Sequence, residues 1–424
     1  MKSKWPTIKL GEICEKIKKE KAPVGTIPYI EIGNVDVNSK KVIFNEKGAV
    51  KGSIFAPENS ILISRVRPTR GAVTFIDKKT AVSSAFTIIK PKPKCNPKLL
   101  FYFLAWNKKF FDYLGEKQKG TNYPSVREKD VLEFEISFPE NGEEQQKVVK
   151  ILDTIQEAID IHDNIIEKTK ELKKSLMNLL FHYGLAGLRV KELASSRVSE
   201  LTSFEIETLG LKLKKTEIGE VPEDWEVVRL GDVTKEIIYG ISKKGEKEGR
   251  YPILRMNNLE DGKINCLDLQ YVGLEDIEFE KFKLEKGDIL FNRTNSLELV
   301  GKTALFNLDG NFVFASYLLR IRTLKDKLLP EFLNYYFNFE KTQKELKTLA
   351  YRGASQVNIS ASRLSGKLIP LPPLPEQQEI AEILQTVDQK IEIERRKKEL
   401  YEELFKTMLN KIMNQEIDDT LLNY

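Results

Sequence analysis

The stretch "PLPPLPEQQEIAEIL", residues 370–384, decides how this chain is read, because "SFPENGEEQQKVVKIL", residues 137–152, says nearly the same thing. In each, a strand stopped by proline gives way to Glu-Gln-Gln and then to a helix with periodic apolar residues. Gln377 stands against Gln145, an offset of 232. Working outward, Trp5 begins "WPTIKLGEI" and Trp225 begins "WEVVRLGDV", with Leu10-Gly11 answering Leu230-Gly231. "IPYIEIGNV" (27–35) answers "YPILRMNNL" (251–259), and "NSILISRVRPTRGAVTF" (59–75) answers "GDILFNRTNSLELVGKTALF" (287–306). The chain is an internal duplication in which the apolar frame persists and the polar loops diverge.

Each copy opens with short β-rich runs bounded by turn residues, such as "ILISRV", "AVTFI", "AFTIIK", "ILFNR", "TALFNL" and "YLLRIR". Two helical patterns interrupt them, at 96–117 and 329–350, each beginning near a proline. The expected fold class is α+β: two pseudo-symmetric α/β domains, each followed by a long helix. The expected boundaries are a first domain at 1–142, its long helix at 143–181, a connector at 182–217, a second domain at 218–373, its long helix at 374–414 and a tail at 415–424.

Along the first helix, Val148, Leu152, Ile155, Ile159, His162, Ile166, Thr169, Leu176 and Leu180 form a heptad seam broken at Lys173. The second repeats it with Ile380, Leu384, Val387, Ile391, Glu394, Lys398, Tyr401, Phe405, Met408 and Ile412. About 37 residues at about 1.5 Å each give about 55 Å of helix. A single apolar stripe of that length needs a partner, and the other copy supplies it as an antiparallel coiled coil. His162 and Glu394 occupy equivalent seam positions. Either they meet at the crossing, or both point partly to solvent.

Composition narrows the function classes. A chain of 424 residues is long for one core. Its net charge of +5 is too small to announce a polyanion partner, so any basic surface must come from local placement. Cys14, Cys95 and Cys266 have no metal-ligand spacing and read as reduced thiols. No apolar signal core opens the chain and no run approaches a membrane span, so a cytoplasmic protein without membrane contact is expected. With only His162 and His182 present, a histidine triad or histidine metal site is a poor fit. No phosphate loop and no Gly-x-Gly cofactor loop is found, so no catalytic residue, metal site or cofactor is assigned to this chain.

Divergence between the copies is sharpest in two loops. In the first, "SRVRPTRG" (64–71) faces "NRTNSLELVG" (292–301), setting Arg65, Arg67 and Arg70 against Asn292, Arg293 and Asn295. Arginine suits guanine edges and asparagine suits adenine edges in the major groove. The matched pair Arg65 and Arg293 fits base contact, phosphate contact or a brace for the fold. In the second, "KGTNYPSVR" (119–127) faces "RGASQVNIS" (352–360), offering Lys119, Asn122 and Tyr123 against Arg352, Gln356 and Asn358. These residues fit DNA contact or an ordinary strand-to-helix turn.

With "PPLPEQQEIAEIL", "GEEQQKVVKIL", "KKTEIGEVPEDWEVVRLGDV" and "GASQVNIS" in hand, the sequence strongly resembles the DNA-specificity subunit of type I restriction–modification enzymes over nearly its whole length. The first copy departs from the pattern by writing "PENGEE" where the second has the proline-rich lead-in. The resemblance implies a non-catalytic reader of a two-part double-stranded DNA target, one half-site per domain. It implies that the helix pair sets the spacer and docks two methyltransferase subunits, with restriction (motor and nuclease) subunits joining them. S-adenosylmethionine, ATP and Mg²⁺ are then expected on those partners, which extrude and methylate adenine. Rival readings are a self-contained restriction–modification enzyme and a coiled-coil scaffold without DNA specificity. The scaffold leaves the divergence of the polar loops unexplained.

Overall fold

The structure is a computed structural model that describes residues 5–15, 17–25, 27–44, 48–188, 212–352 and 357–416, the Arg352 side chain excepted. Most of the expected connector and tail therefore lies outside the described residues. In it the repeated Glu-Gln pair is a latch. Gln145 is buried, accepts from Asn96 N at 2.7 Å, and donates to Pro139 O at 2.8 Å and Lys94 O at 3.1 Å. Gln377 is fully buried, accepts from Leu329 N at 2.8 Å, and donates to Pro372 O at 2.8 Å and Lys327 O at 2.9 Å. A buried amide with both ends satisfied fixes where the long helix departs, and losing it would strand several backbone groups. The neighbouring glutamates add a second tie. Trp5 Nε1 donates to Glu144, and Trp225 Nε1 to Glu376.

The residues group into two units, 1–164 with 395–424 and 165–394, so each long helix contributes to both. The compact units thus cut across the linear segments read from sequence. In the first unit a four-stranded antiparallel sheet runs in the order Cys14–Glu15, Phe86–Pro91, Ser60–Ser64, Val73–Ile76. The second unit repeats that order with Thr234–Tyr239, Leu318–Thr323, Ile289–Asn292 and Thr303–Leu305. Ser64 pairs with Phe86 as Asn292 pairs with Leu318, so the duplication holds at the level of strand register.

The helical patterns after each sheet are interrupted. Residues 96–117 form Pro97–Ala105 and Lys108–Lys117, because Asn107 accepts from Phe110 N at 3.2 Å and starts a new helix. Residues 329–350 likewise form Pro330–Asn338 and Glu340–Thr348, separated by an extended Phe339.

The long helices span Gly142–Tyr183 and Leu374–Met413, 42 and 40 residues, or about 60 Å each. Inside the first unit they run antiparallel. Asp163 pairs with Lys398 at 2.6 Å, while Trp5 bonds both Glu144 and Gln415. Val148, Leu152, Ile155 and Ile159 share a core with Phe405, Leu409 and Ile412, and Tyr401 packs against it. Inside the second unit the sense is the same. Lys173 pairs with Asp388 at 2.7 Å, and Leu185 N donates to Glu376 Oε1 at 2.9 Å. Leu176 and Leu180 share that core with Ile380 and Leu384, and Val387 packs on it. Ile166 and Ile391 are buried. His162 stacks on the Tyr401 ring, with centroids 5.4 Å apart, and Glu394 is buried and pairs with Lys390 at 2.7 Å.

Candidate nucleic-acid interface

The two polar loops singled out separately in the sequence meet each other in each unit. In the first, Arg65 closes the sheet strand: its N–H donates to Ala85 O at 3.0 Å and its carbonyl accepts from Val126 N at 3.0 Å. In the second, Arg293 N donates to Tyr317 O at 3.0 Å and Arg293 O accepts from Ile359 N at 2.9 Å. Loop one is thereby stitched to loop two by the same backbone bonds in both copies. Val66 then bridges Ser125, while Thr294 and Asn295 pair with Asn358 and Val357. Sequence reasoning missed this joining, although the shared spacing of both loops from their sheets was its visible trace.

The second loop is a small hairpin. Lys119 and Ser125 exchange backbone bonds at 2.9 Å each, and Gly120 at φ 95° opens the turn, a conformation suited to glycine. Its tip is polar: Lys119 and Asn122 are exposed, and Tyr123 is 74% exposed. Beside it, Arg127 is committed elsewhere. It makes bonds of 2.9 and 2.8 Å to the two carboxylate oxygens of Asp130, which hold that carboxyl at about 2. In the second unit Tyr351–Arg352 pairs with Val357–Asn358, and Asn358 is half-buried. Gln356, Gly353 and the Arg352 side chain lie outside the described residues.

Arg65 and Arg293 act as braces for the fold. Arg65 Nη2 donates to Ser84 O, and Arg293 Nη1 donates to Ser316 O at 3.2 Å while lying 4.8 Å over the Tyr239 ring. Asn292 is a correction to the expected reading surface. It is fully buried, and its amide donates to Leu299 O at 3.1 Å to shape the loop from within. Asn295 is half-buried, donating to Met256 Sδ at 2.9 Å and accepting from Ser296 N at 2.8 Å.

Arg67 and Arg70 border the turn Pro68–Arg70, which ends at Gly71 with φ 78°. Arg70 is exposed, and Arg67 lies with its guanidinium carbon 5.5 Å over the Tyr123 ring. Beneath the turn is a residue the sequence did not suggest. Lys40 is 7% exposed, donates from Nζ to Gly71 O at 2.8 Å and lies near the Trp106 and Phe111 rings. Burial pushes its ammonium down to about 8. Among the described residues, no group of three or more His, Cys, Asp or Glu side chains is placed to hold a metal ion. No described helix is long and apolar enough to cross a membrane.

Comparison with known proteins places this geometry. The family described as the type I restriction modification DNA specificity domain matches residues 2–171 and 222–403. The type I restriction enzyme MjaVIII specificity subunit of Methanocaldococcus jannaschii is 29% identical over 444 residues, spanning 99% of this chain and 94% of that one. The putative MjaX specificity subunit of the same organism is 39% identical over 207 residues, 48% of each chain. The crystal structure of a type I restriction–modification S subunit from M. genitalium superposes with a TM-score of 0.58 at 15% identity, covering 96% of this chain and 95% of that one, which shows a shared fold.

Proposed function

Because the chain belongs to the type I restriction modification DNA specificity domain family, we propose that it is the reader of a bipartite DNA target, each unit taking one half-site. The observation that carries this reading is the joined pair of loops in each unit. An invariant backbone frame presents different polar side chains at equivalent places, Arg67 in one and Asn295 in the other. A frame kept constant while its displayed groups change is what two readers of unlike sequences require.

The chain itself contributes no catalytic group in this reading. Two methyltransferase subunits carrying S-adenosylmethionine dock on the long helices, and motor and nuclease subunits bring ATP and Mg²⁺. The helix pair sets the unread spacer. Docking of two like partners is supported by exposed apolar residues at matched positions of the repeat: Ile161 with Ile393, and Leu172 with Leu404. What supports docking is the match between copies, which offers two like partners the same contact on each helix.

The test is selection of random duplex DNA by the full-length chain bound to its methyltransferase subunit, read by sequencing. A split motif with a fixed gap is expected. Exchanging residues 1–140 for those of a relative should change one half only. A single continuous motif would mean that only one unit reads DNA, and no enrichment would favour a scaffold.

A further inference from the structure

We propose that Arg67 reads a guanine in the half-site taken by the first unit, with the Tyr123 ring holding its guanidinium in plane; this rests on the function proposed above and assigns one base to one side chain. The arginines of the first loop are not equivalent. Arg65 gives Nη2 to Ser84 O as Arg293 gives Nη1 to Ser316 O, so in both copies this arginine is tied to the same piece of backbone. Arg67 and Arg70 both sit in the fixed turn with uncommitted forks, and of the two Arg67 is the one that lies over an aromatic ring, that of Tyr123. Among the described residues, no hydrogen-bond acceptor or carboxylate partner engages the Arg67 guanidinium.

The backbone there is held against its own preference. Arg67 sits at φ 47° and ψ 54°, the left-handed region that residues bearing a side chain enter only at a cost. Three bonds hold it: Arg67 N to Pro124 O at 2.7 Å, Arg70 N to Arg67 O at 3.0 Å, and Lys40 Nζ to Gly71 O at 2.8 Å. The turn is thus tied to the hairpin on one side and propped by a buried lysine on the other. Strain maintained by so many partners accompanies side chains that must point one way.

The Tyr123 ring completes the device. The guanidinium carbon lies 5.5 Å from the centre of this exposed ring, a cation–π contact that favours one placement of the fork. Two parallel donors held in a plane match O6 and N7 of guanine. The equivalent position of the second unit is Asn295, already engaged with Met256, so the two units differ at this place in chemistry and in freedom.

The experiment compares wild type, Arg67→Ala and Arg67→Gly in the same full-length complex against random duplex DNA. Glycine relaxes the left-handed backbone, so this variant separates loss of the side chain from loss of the turn, and the second half-site serves as an internal control of folding. Wild type is expected to fix a guanine in the first half-site. Both variants should relax that one position by roughly 5- to 100-fold, with the second half-site unchanged. Replacing that guanine by 7-deazaguanine should weaken wild type and leave the variants unaffected. A uniform loss over all sequences, steeply salt-dependent, would show a phosphate contact and overturn the assignment. An unchanged motif would overturn it as well. If wild type selected no split motif at all, the bipartite reading itself would fall, and this assignment with it.

Discussion

Trp225 Nε1 donates to Glu376 Oε2 at 2.8 Å, and Glu376 Oε1 accepts from Leu185 N at 2.9 Å. One carboxylate therefore ties Trp225, just before the strand Glu226–Arg229, to Leu185, just past the end of the first long helix, within the same unit. Its counterpart Glu144 accepts from Trp5 Nε1 at 3.0 Å. Trp225 is fully buried and Trp5 only half-buried. Glu376→Ala leaves the buried Trp225 indole N–H and the partly buried Leu185 N–H unmet and should cost about 2 kcal/mol, at about 1 kcal/mol for each stranded group. Glu144→Ala should cost less than half of that. Chemical denaturation of the two variants checks the order, and equal losses would mean that the latches are not graded by burial.

Lys40 makes stability depend on pH in an alkaline window. Its folded pKa is about 8 against an ordinary 10.5, because burial penalises the ammonium. The unfolded chain therefore binds this proton more tightly between those values, and stability rises with pH through the window. The contribution is fully present above 10.5 and is lost as pH falls through about 8. Against Lys40→Met, wild type should gain up to about 3 kcal/mol between pH 7.5 and pH 10.5. Parallel denaturation curves at several pH values give this difference, and a flat difference would mean that the ammonium is better solvated than its position among Trp106 and Phe111 implies.

Much of the architecture was legible because it was written twice. The repeated Trp, Leu-Gly and Glu-Gln-Gln words marked the two copies of the repeat, and the short β-branched runs fell on the sheet strands Ser60–Ser64, Phe86–Pro91, Ile289–Asn292 and Leu318–Thr323. What stayed hidden depends on tertiary contact. Asn107 was a visible cap residue inside an apolar helical run, and periodicity outweighed it. Asn292 looked like a reader because amides suit both base edges and buried turns, and only packing tells these apart. Lys40 lies 31 residues before the carbonyl it supports, a distance no local pattern reports.

The exposed leucines give a docking prediction. Leu172 and Leu404 are 41% and 43% exposed and carry no role in either core. Changing both to glutamate should leave stability within about 0.5 kcal/mol of wild type, as surface substitutions do. Native mass spectrometry of the co-expressed complex should then show fewer than two methyltransferase subunits per chain, with each single variant intermediate. Retention of both copies by the double variant would place the docking surface elsewhere.

The seam break at Lys173 yields the most specific prediction, because the repeat supplies its own replacement. Lys173 Nζ pairs with Asp388 Oδ1 at 2.7 Å and lies 5.2 Å over the Tyr335 ring, whose hydroxyl donates to Asp388 Oδ2 at 2.9 Å. At the equivalent positions of the other unit stand Phe405, Gln156 and Tyr102, where Phe405 packs edge-on against Tyr102 at 5.6 Å and Trp106 at 5.0 Å. One seam site is ionic and the other aromatic. The side chains of Lys173 and Asp388 are 19% and 14% exposed, so removing either strands a mostly buried charge. Asp388→Gln alone should cost about 2 kcal/mol, somewhat below the loss from a fully buried pair. Adding Lys173→Phe should recover most of it, because the pair is replaced by packing the fold already uses. A double-mutant cycle in urea measures the coupling. If the double variant is no more stable than Asp388→Gln, the ionic triad is required for packing in this unit rather than exchangeable with its aromatic counterpart.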